Sequence, residues 1–464
     1  MATLNGKNQK RECTHSLLFF VMNKEISPHK QYSFPDNLSI VRRKGVILVI
    51  SVDTAKWIVL KNEDQLSFFE LLRRMPLGAA LNAFSGQYED AQQVVIQLEA
   101  RNFEDKNVHS CIYNDVKTLQ LYLTNACNLR CPHCYMFAGS KSKNELSTKE
   151  VFSVIDGYKG QGGERVTLTG GEVTLRKDLA DIVTYASNAG LKVRILTNGT
   201  SWDYDLIDRI SPYLSSVQIS IDGFSEETNA RVRGTGSFSV SLATLDHFIS
   251  NNVPSEVSIT PFYDDDFESY VEAFADFAKS LTNKYAGKKF KINFAEQIME
   301  GREISLDETQ QRRYSSVINK IHEKYFGTNT EDLSFIKAFR EPQIMDNCMY
   351  GVISISSTGD VYFCSRIPSI SSIGNVKTMG FDEIMEMSRL AQYQSNINNL
   401  APCKDCDIKY ICGGGCRIDY FPKLTSSRDI KSLDLNKIHR TPCKIEEKER
   451  YYDIMIRTNE KLFQ

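Results

Sequence analysis

Residues 123–136 read LTNACNLRCPHCYM and place Cys127, Cys131 and Cys134 in the spacing Cys-x3-Cys-x2-Cys. An apolar, strand-like stretch, 119–124, runs straight into them. Iron–sulfur cubanes are normally held by four cysteine sulfurs, so three thiolates leave one iron open to another ligand. An open metal position marks a catalytic site rather than a structural one, by analogy with zinc. The rival reading is a zinc site with His133 as fourth ligand, because Cys-x2-4-Cys pairs are common there too.

Composition sets the frame. The 464 residues are 41% hydrophobic and 25% charged, ordinary for globular protein, and the length suggests several domains. A net charge of −2 without a basic tail gives no reason to expect nucleic acid as a partner. No apolar run approaches the roughly 18 residues of a membrane helix. The patch SLLFFVM near the start lacks a long apolar core and a cleavage site, so a cytoplasmic protein is expected. Ten of twelve cysteines cluster at 127–134, 348–364 and 403–443. Clusters of this kind in a reducing compartment read as metal ligands, not disulfides. Cys13 and Cys111 stand apart and read as inert thiols.

From about 117 to 325, strand and helix patterns alternate. The expected strands are 119–124, 165–169, 192–198, 216–222, 256–261 and 289–295. Ser147 and Glu150 form a capping box, and Leu179, Ile182, Val183 and Ala186 keep a helical period that Gly190 ends. Six such repeats imply a parallel sheet with right-handed crossovers, shorter than a closed eight-fold barrel. Upstream, LSIVRRKGVILVI reads as a hairpin turning at Lys44-Gly45, with 55–60 as a third strand. Three helices follow, at 63–74, 77–84 and 88–101. Downstream, Cys348 precedes a hairpin-like ISISSTGDVYFC ending at Cys364, then Cys403, Cys406, Cys412, Cys416 and Cys443. Two four-cysteine zinc sites would need eight cysteines; this region has seven.

The cluster loop and its placement after the first strand resemble the radical S-adenosylmethionine (SAM) superfamily. The downstream cysteine order resembles that superfamily's SPASM extension. These resemblances imply an α/β fold: a partial (β/α)6 barrel, a winged-helix-like N-terminal recognition domain of the PqqD type, and a C-terminal SPASM domain. The expected divisions are 1–110, 111–330 and 331–464. They also imply three [4Fe-4S] clusters, with S-adenosylmethionine on the open iron cleaved by one electron to a 5′-deoxyadenosyl radical.

Within the resemblance, Gly170, Gly171 and Glu172 meet the methionine ammonium. Asn198, Ser220 and Asp222 end strands at the barrel mouth, as ribose and carboxylate contacts or, for the Asn-Gly and Asp-Gly pairs, as turn formers. Arg233 faces the SAM carboxylate, with Arg231 as rival. His133 stands where an aromatic residue shields the adenine, and Tyr135 shares that packing. Auxiliary cluster I takes Cys348, Cys364 and Cys416, and cluster II takes Cys403, Cys406, Cys412 and Cys443. Cluster I thus keeps an iron open to a thiolate, a water or a distant side chain.

The implied activity is oxidation of a ribosomally made precursor peptide to a cross-link, thioether or carbon–carbon. The precursor's leader would add as a strand at the sheet edge near 55–60. A flavodoxin- or ferredoxin-type donor would supply electrons. The alternatives are a sulfatase-type maturase making formylglycine and a non-catalytic iron–sulfur electron carrier. The substrate peptide, the general base and the oligomeric state have no signal in the sequence.

Overall fold

A computed structural model describes residues 19–21, 24–110, 117–327, 330–341, 343–426 and 429–463. Cys13 and Cys111 lie outside them. Lys44 and Gly45 take positive φ, 50° and 78°, as a two-residue type I′ hairpin requires. The turn joins β1 (Leu38–Arg43) to β2 (Val46–Ser51), and β3 (Lys56–Leu60) completes an antiparallel sheet in the order β1-β2-β3. Helices α1 (Glu63–Leu72), α2 (Leu77–Ala83) and α3 (Tyr88–Ala100) follow. Strand alternation divides the side chains. Ile47, Val49, Ile58 and Leu60 join Phe68 and Phe69 under these helices. Leu48, Ile50, Trp57 and Val59 face the other way and pack on residues of helices Thr330–Arg340 and Ile445–Phe463. Trp57 donates to the Met455 carbonyl at 3.3 Å and meets Phe335 and Phe339 edge-on. The N-terminal sheet therefore shares a core with the end of the chain.

The β3 edge, expected to accept a peptide strand, already has partners. Gln97 of α3 accepts from Val59 N at 2.9 Å and donates to Val59 O at 2.7 Å. Arg101 reaches Ala55 O, and Gln65 accepts from Lys61 N. A carboxamide offers the same donor and acceptor as a peptide unit, so Gln97 stands where an added strand would pair. Val59 turns its N–H outward; Ile58, its neighbour, turns inward to β2. Among the described strands, none pairs with the outer side of β1.

The six expected parallel strands all form: β4 (Thr118–Tyr122), β5 (Arg165–Thr169), β6 (Lys192–Thr197), β7 (Leu214–Ser220), β8 (Ser255–Ile259) and β9 (Phe290–Phe294). They pair in chain order in parallel register. Their alternate residues, such as Leu119, Leu121, Val166 and Leu168, are fully buried. Helix α4 (Thr148–Gly160) opens on the Ser147–Glu150 capping box, and α5 (Leu179–Asn188) closes before Gly190 at φ 84°. The sheet continues past six strands. β10 (Ser354–Ile355) pairs parallel to β4, then β11 (Asp360–Tyr362) and β12 (Gly374–Asn375) add antiparallel. The Tyr122 side chain, at the end of the cluster strand, reaches the Ser365 carbonyl just after Cys364.

Candidate metal centre and cofactor cavity

β4 ends at Tyr122, and the chain then climbs over the C-terminal edge of the sheet. Gly171 N and Glu172 N donate to the carbonyls of Thr124 and Ala126, both at 2.8 Å. A Cβ on Gly171 would sit 2.2 Å from the Ala126 oxygen, and one on Gly170 2.4 Å from the Thr124 oxygen. The glycines thus let the end of β5 close against the cysteine loop. A cavity of about 310 Å³ opens there, lined by Cys127, Cys131 and Cys134.

Seven of the nine residues expected to handle SAM line this cavity: His133, Tyr135, Gly170, Gly171, Asn198, Ser220 and Arg233. Glu172 and Asp222 stand behind it. Glu172 is buried and accepts from Thr197 Oγ1 at 2.7 Å, Asn198 N at 2.8 Å, and Thr174 N and Oγ1. Burial raises its pKa, offset in part by those donors. It braces two strand ends rather than facing the cavity. Asp222 lies past the end of β7, and its Oδ2 is 2.6 Å from Arg233 Nε and 3.3 Å from His133 Nε2. Its Oδ1 accepts from Thr260 N. Burial would raise this carboxyl, but Arg233 and then His133 hold it below the usual range. Asp222 therefore holds Arg233 and His133 in place from behind the cavity wall.

Arg233 ends helix α6 (Glu226–Arg233), with its charge near Cys131 and Cys127. Arg231 turns outward to Asp264. Asn198 donates to Asn128 at 2.9 Å and accepts from Thr200 N, joining a turn role to contact with the cysteine loop. Three contributors carried no sequence signal. Gly301 packs against the His133 backbone, Arg302 donates to the carbonyls of Cys131 and Ala138, and Tyr122 donates to Ser365 O at 2.8 Å. The Tyr122 hydroxyl is also 3.4 Å from that of Tyr135. These phenols connect the cavity wall to the residue beside Cys364.

All ten described cysteines are free thiols. Among the described residues, no three Cys, His, Asp or Glu side chains gather closely enough to grip one metal ion. His133 Nε2 lies 3.3 Å from Asp222 Oδ2, and its buried Nδ1 has no hydrogen-bond partner. Sulfurs spread around a cavity suit a cubane, whose corners hold separate irons. Downstream, Cys364 lies within electrostatic reach of Cys348 and Cys416. Cys403 senses Cys412 and Cys406, while Cys443 senses Cys412. Cys403, Cys406, Cys412 and Cys443 line a second cavity of about 280 Å³. Burial pushes the Cys131 and Cys403 thiols up to about 11, so metal ligation there must displace protons.

Comparison with known proteins now bears on this geometry. The radical SAM superfamily model matches residues 121–278, and the iron–sulfur cluster-binding SPASM model matches 347–407. This chain carries a radical SAM domain followed by a SPASM domain. As such it is an enzyme, with domains that hold iron–sulfur clusters and S-adenosylmethionine. It is similar to the mycofactocin maturase MftC of Mycolicibacterium smegmatis, 29% identical over 63% of this chain and 76% of the relative. It is also similar to the antilisterial bacteriocin subtilosin biosynthesis protein AlbA of Bacillus subtilis, 26% identical over 68% of each. The solved structure of native anSMEcpe with bound AdoMet shares the fold at TM-score 0.52 and 16% identity, covering 74% of this chain and 98% of that one. The radical SAM match runs from the end of β4 into the helix Val271–Lys284 and includes the cavity residues up to Thr260. Among the described residues, no helix is long and apolar enough to cross a membrane.

Proposed function

We propose that this protein is a peptide maturase that removes hydrogen from a ribosomally made precursor and joins two of its residues, through a thioether or a carbon–carbon bond. One observation carries the reading most strongly. Three cysteines with one ligand too few, Arg233 fixed by Asp222, and the Gly170-Gly171 cradle all border one cavity at the strand ends. Relatives with maturase and bacteriocin-biosynthesis names support a peptide as the substrate.

On this reading, Cys127, Cys131 and Cys134 hold the first cluster, and Cys348, Cys364 and Cys416 the second. Cys403, Cys406, Cys412 and Cys443 hold the third. When bound, the clusters and SAM supply one-electron chemistry and a carbon-centred hydrogen abstractor. The chain's own residues do the rest. Arg233 meets the SAM carboxylate, Asn198 and Ser220 orient the nucleoside, and His133 and Tyr135 wall the cavity against water. The N-terminal sheet and its helices capture the leader, and an external donor of flavodoxin or ferredoxin type delivers electrons. The expected divisions, 1–110, 111–330 and 331–464, remain part of this proposal.

Co-expression with any short reading frame found beside the gene, followed by mass spectrometry of the peptide, tests the reading. Loss of two hydrogens per bond formed, with fragments missing between the joined residues, supports it. A peptide of unchanged mass beside fully loaded enzyme contradicts it.

A further inference from the structure

Three arginines stand among the downstream cysteines, and two of them have carboxylate partners. Arg366 lies 3.4 Å from Cys416 Sγ and donates to Asp419 at 2.8 Å. Arg440 pairs with Glu447 at 2.9 Å. Arg417 differs. Its exposure is 0%, and it lies within electrostatic reach of Cys348 and Cys416 of one set and Cys403 and Cys412 of the other. Nε donates to Ser395 O at 2.8 Å, and Nη1 to the carbonyls of Gly413 and Gly415. Nη2 is buried without a hydrogen-bond partner. Among the described residues, no carboxylate lies within ion-pair distance of it.

A cation taken wholly out of water is costly unless it is paired. Carbonyl oxygens satisfy three of its five N–H donors but supply no net negative charge. The groups in reach are four cysteine sulfurs from two different sets, which become anionic on ligating iron. A thiolate-ligated cubane is net negative, and each electron added makes it more so. Nearby positive charge and N–H donors to sulfur favour the reduced form and raise its potential.

We propose that Arg417 is the shared counter-cation of both auxiliary clusters, a positioning residue whose buried charge raises the reduction potential of each. Each step it influences is a one-electron reduction of a cluster by an external reductant, with no bond broken. The proposal rests on the cluster assignment above. Iron content and the visible spectrum are therefore measured first; their failure would remove the clusters themselves, not only the role of Arg417.

The test is an EPR-monitored redox titration of full-length protein with Cys127, Cys131 and Cys134 replaced by Ala, so that only the auxiliary clusters respond. Arg417→Met should shift both one-electron waves downward, cutting the reduced-to-oxidised ratio at fixed potential tenfold or more, about 59 mV per tenfold. Arg417→Lys should restore most of the shift. Arg366→Met, whose charge Asp419 already offsets, should move one wave by less. If Arg417→Met loses iron while Arg417→Lys keeps iron and potentials, the requirement for charge stands. Unchanged waves at full iron, a shift in one wave only, or equal failure of Met and Lys overturns the proposal.

Discussion

Two largely buried arginines stand near cysteines of different sets, and the chain treats them differently. Arg233, at the barrel mouth, has Asp222 at 2.6 Å and His133 sharing the same carboxylate. Arg417, near both auxiliary cysteine sets, is held by backbone carbonyls and the Phe421 ring, with no carboxylate beside it. The first arrangement keeps its charge compensated with the cavity empty, as suits a site whose ligand comes and goes. The second lacks a compensating carboxylate, as suits a site whose anions are permanent. Arg417 is alone in this among the arginines at the auxiliary cysteines, since Asp419 and Glu447 balance Arg366 and Arg440.

Breaking the balanced end should have the largest effect. Asp222→Ala leaves Arg233 buried without its partner, a change worth about 3–5 kcal/mol. Thermal unfolding of the reconstituted protein should show a large drop, together with weakened SAM binding. An unchanged midpoint would mean that Arg233 finds compensation elsewhere.

His322 shows a third way of burying a base. It lies on helix α7 (Glu308–Phe326), where burial pushes the imidazole down to about 4 from an ordinary 6.5. The unfolded chain therefore takes up this proton first as pH falls. The stability held by neutral His322 is complete above pH 6.5 and is lost between 6.5 and 4, roughly 2 kcal/mol by pH 5. The His322→Phe protein should lose less thermal stability than wild type between pH 7 and 5. Parallel losses would assign the acid sensitivity to other groups.

A smaller effect sharpens the view of Glu172 as a brace. Glu172→Gln puts an amide among four donors and should cost about 1–3 kcal/mol even without SAM. A variant with wild-type stability and only weakened SAM binding would return Glu172 to the role of direct ligand contact. Smallest in free energy is Gln97→Ala. If a leader peptide pairs with β3, removing its internal stand-in should tighten precursor binding by fluorescence polarisation. No change, with weakened binding on Ile40→Pro in β1, would place the leader on the open edge instead.

Much of this architecture was legible in the chain. The six barrel strands and the N-terminal hairpin carry strong periodicity and turn chemistry, and their bounds fall within two residues of expectation. β10 is two residues long, too short for a periodic signal, so its pairing with β4 had no sequence trace. Seven cavity residues were readable because they sit at strand ends and in the cysteine loop. The Asp222–Arg233 pair had no sequence trace, because Arg233 reaches the carboxylate only after α6 folds back. Gln97 closes an edge from 38 residues away, and Arg302 arrives from beyond β9. Arg417 follows Cys416 directly, but nothing in that dipeptide reveals that its charge stands alone.

The most direct test of the central claim is the amount of 5′-deoxyadenosine formed by anaerobically reconstituted protein given SAM and a low-potential reductant. Wild-type protein should carry about twelve irons and form the nucleoside. With Cys127, Cys131 and Cys134 replaced by Ala, iron should fall to about eight and the nucleoside should vanish. Undiminished nucleoside from the triple variant, or stoichiometric zinc in place of iron, would contradict the account.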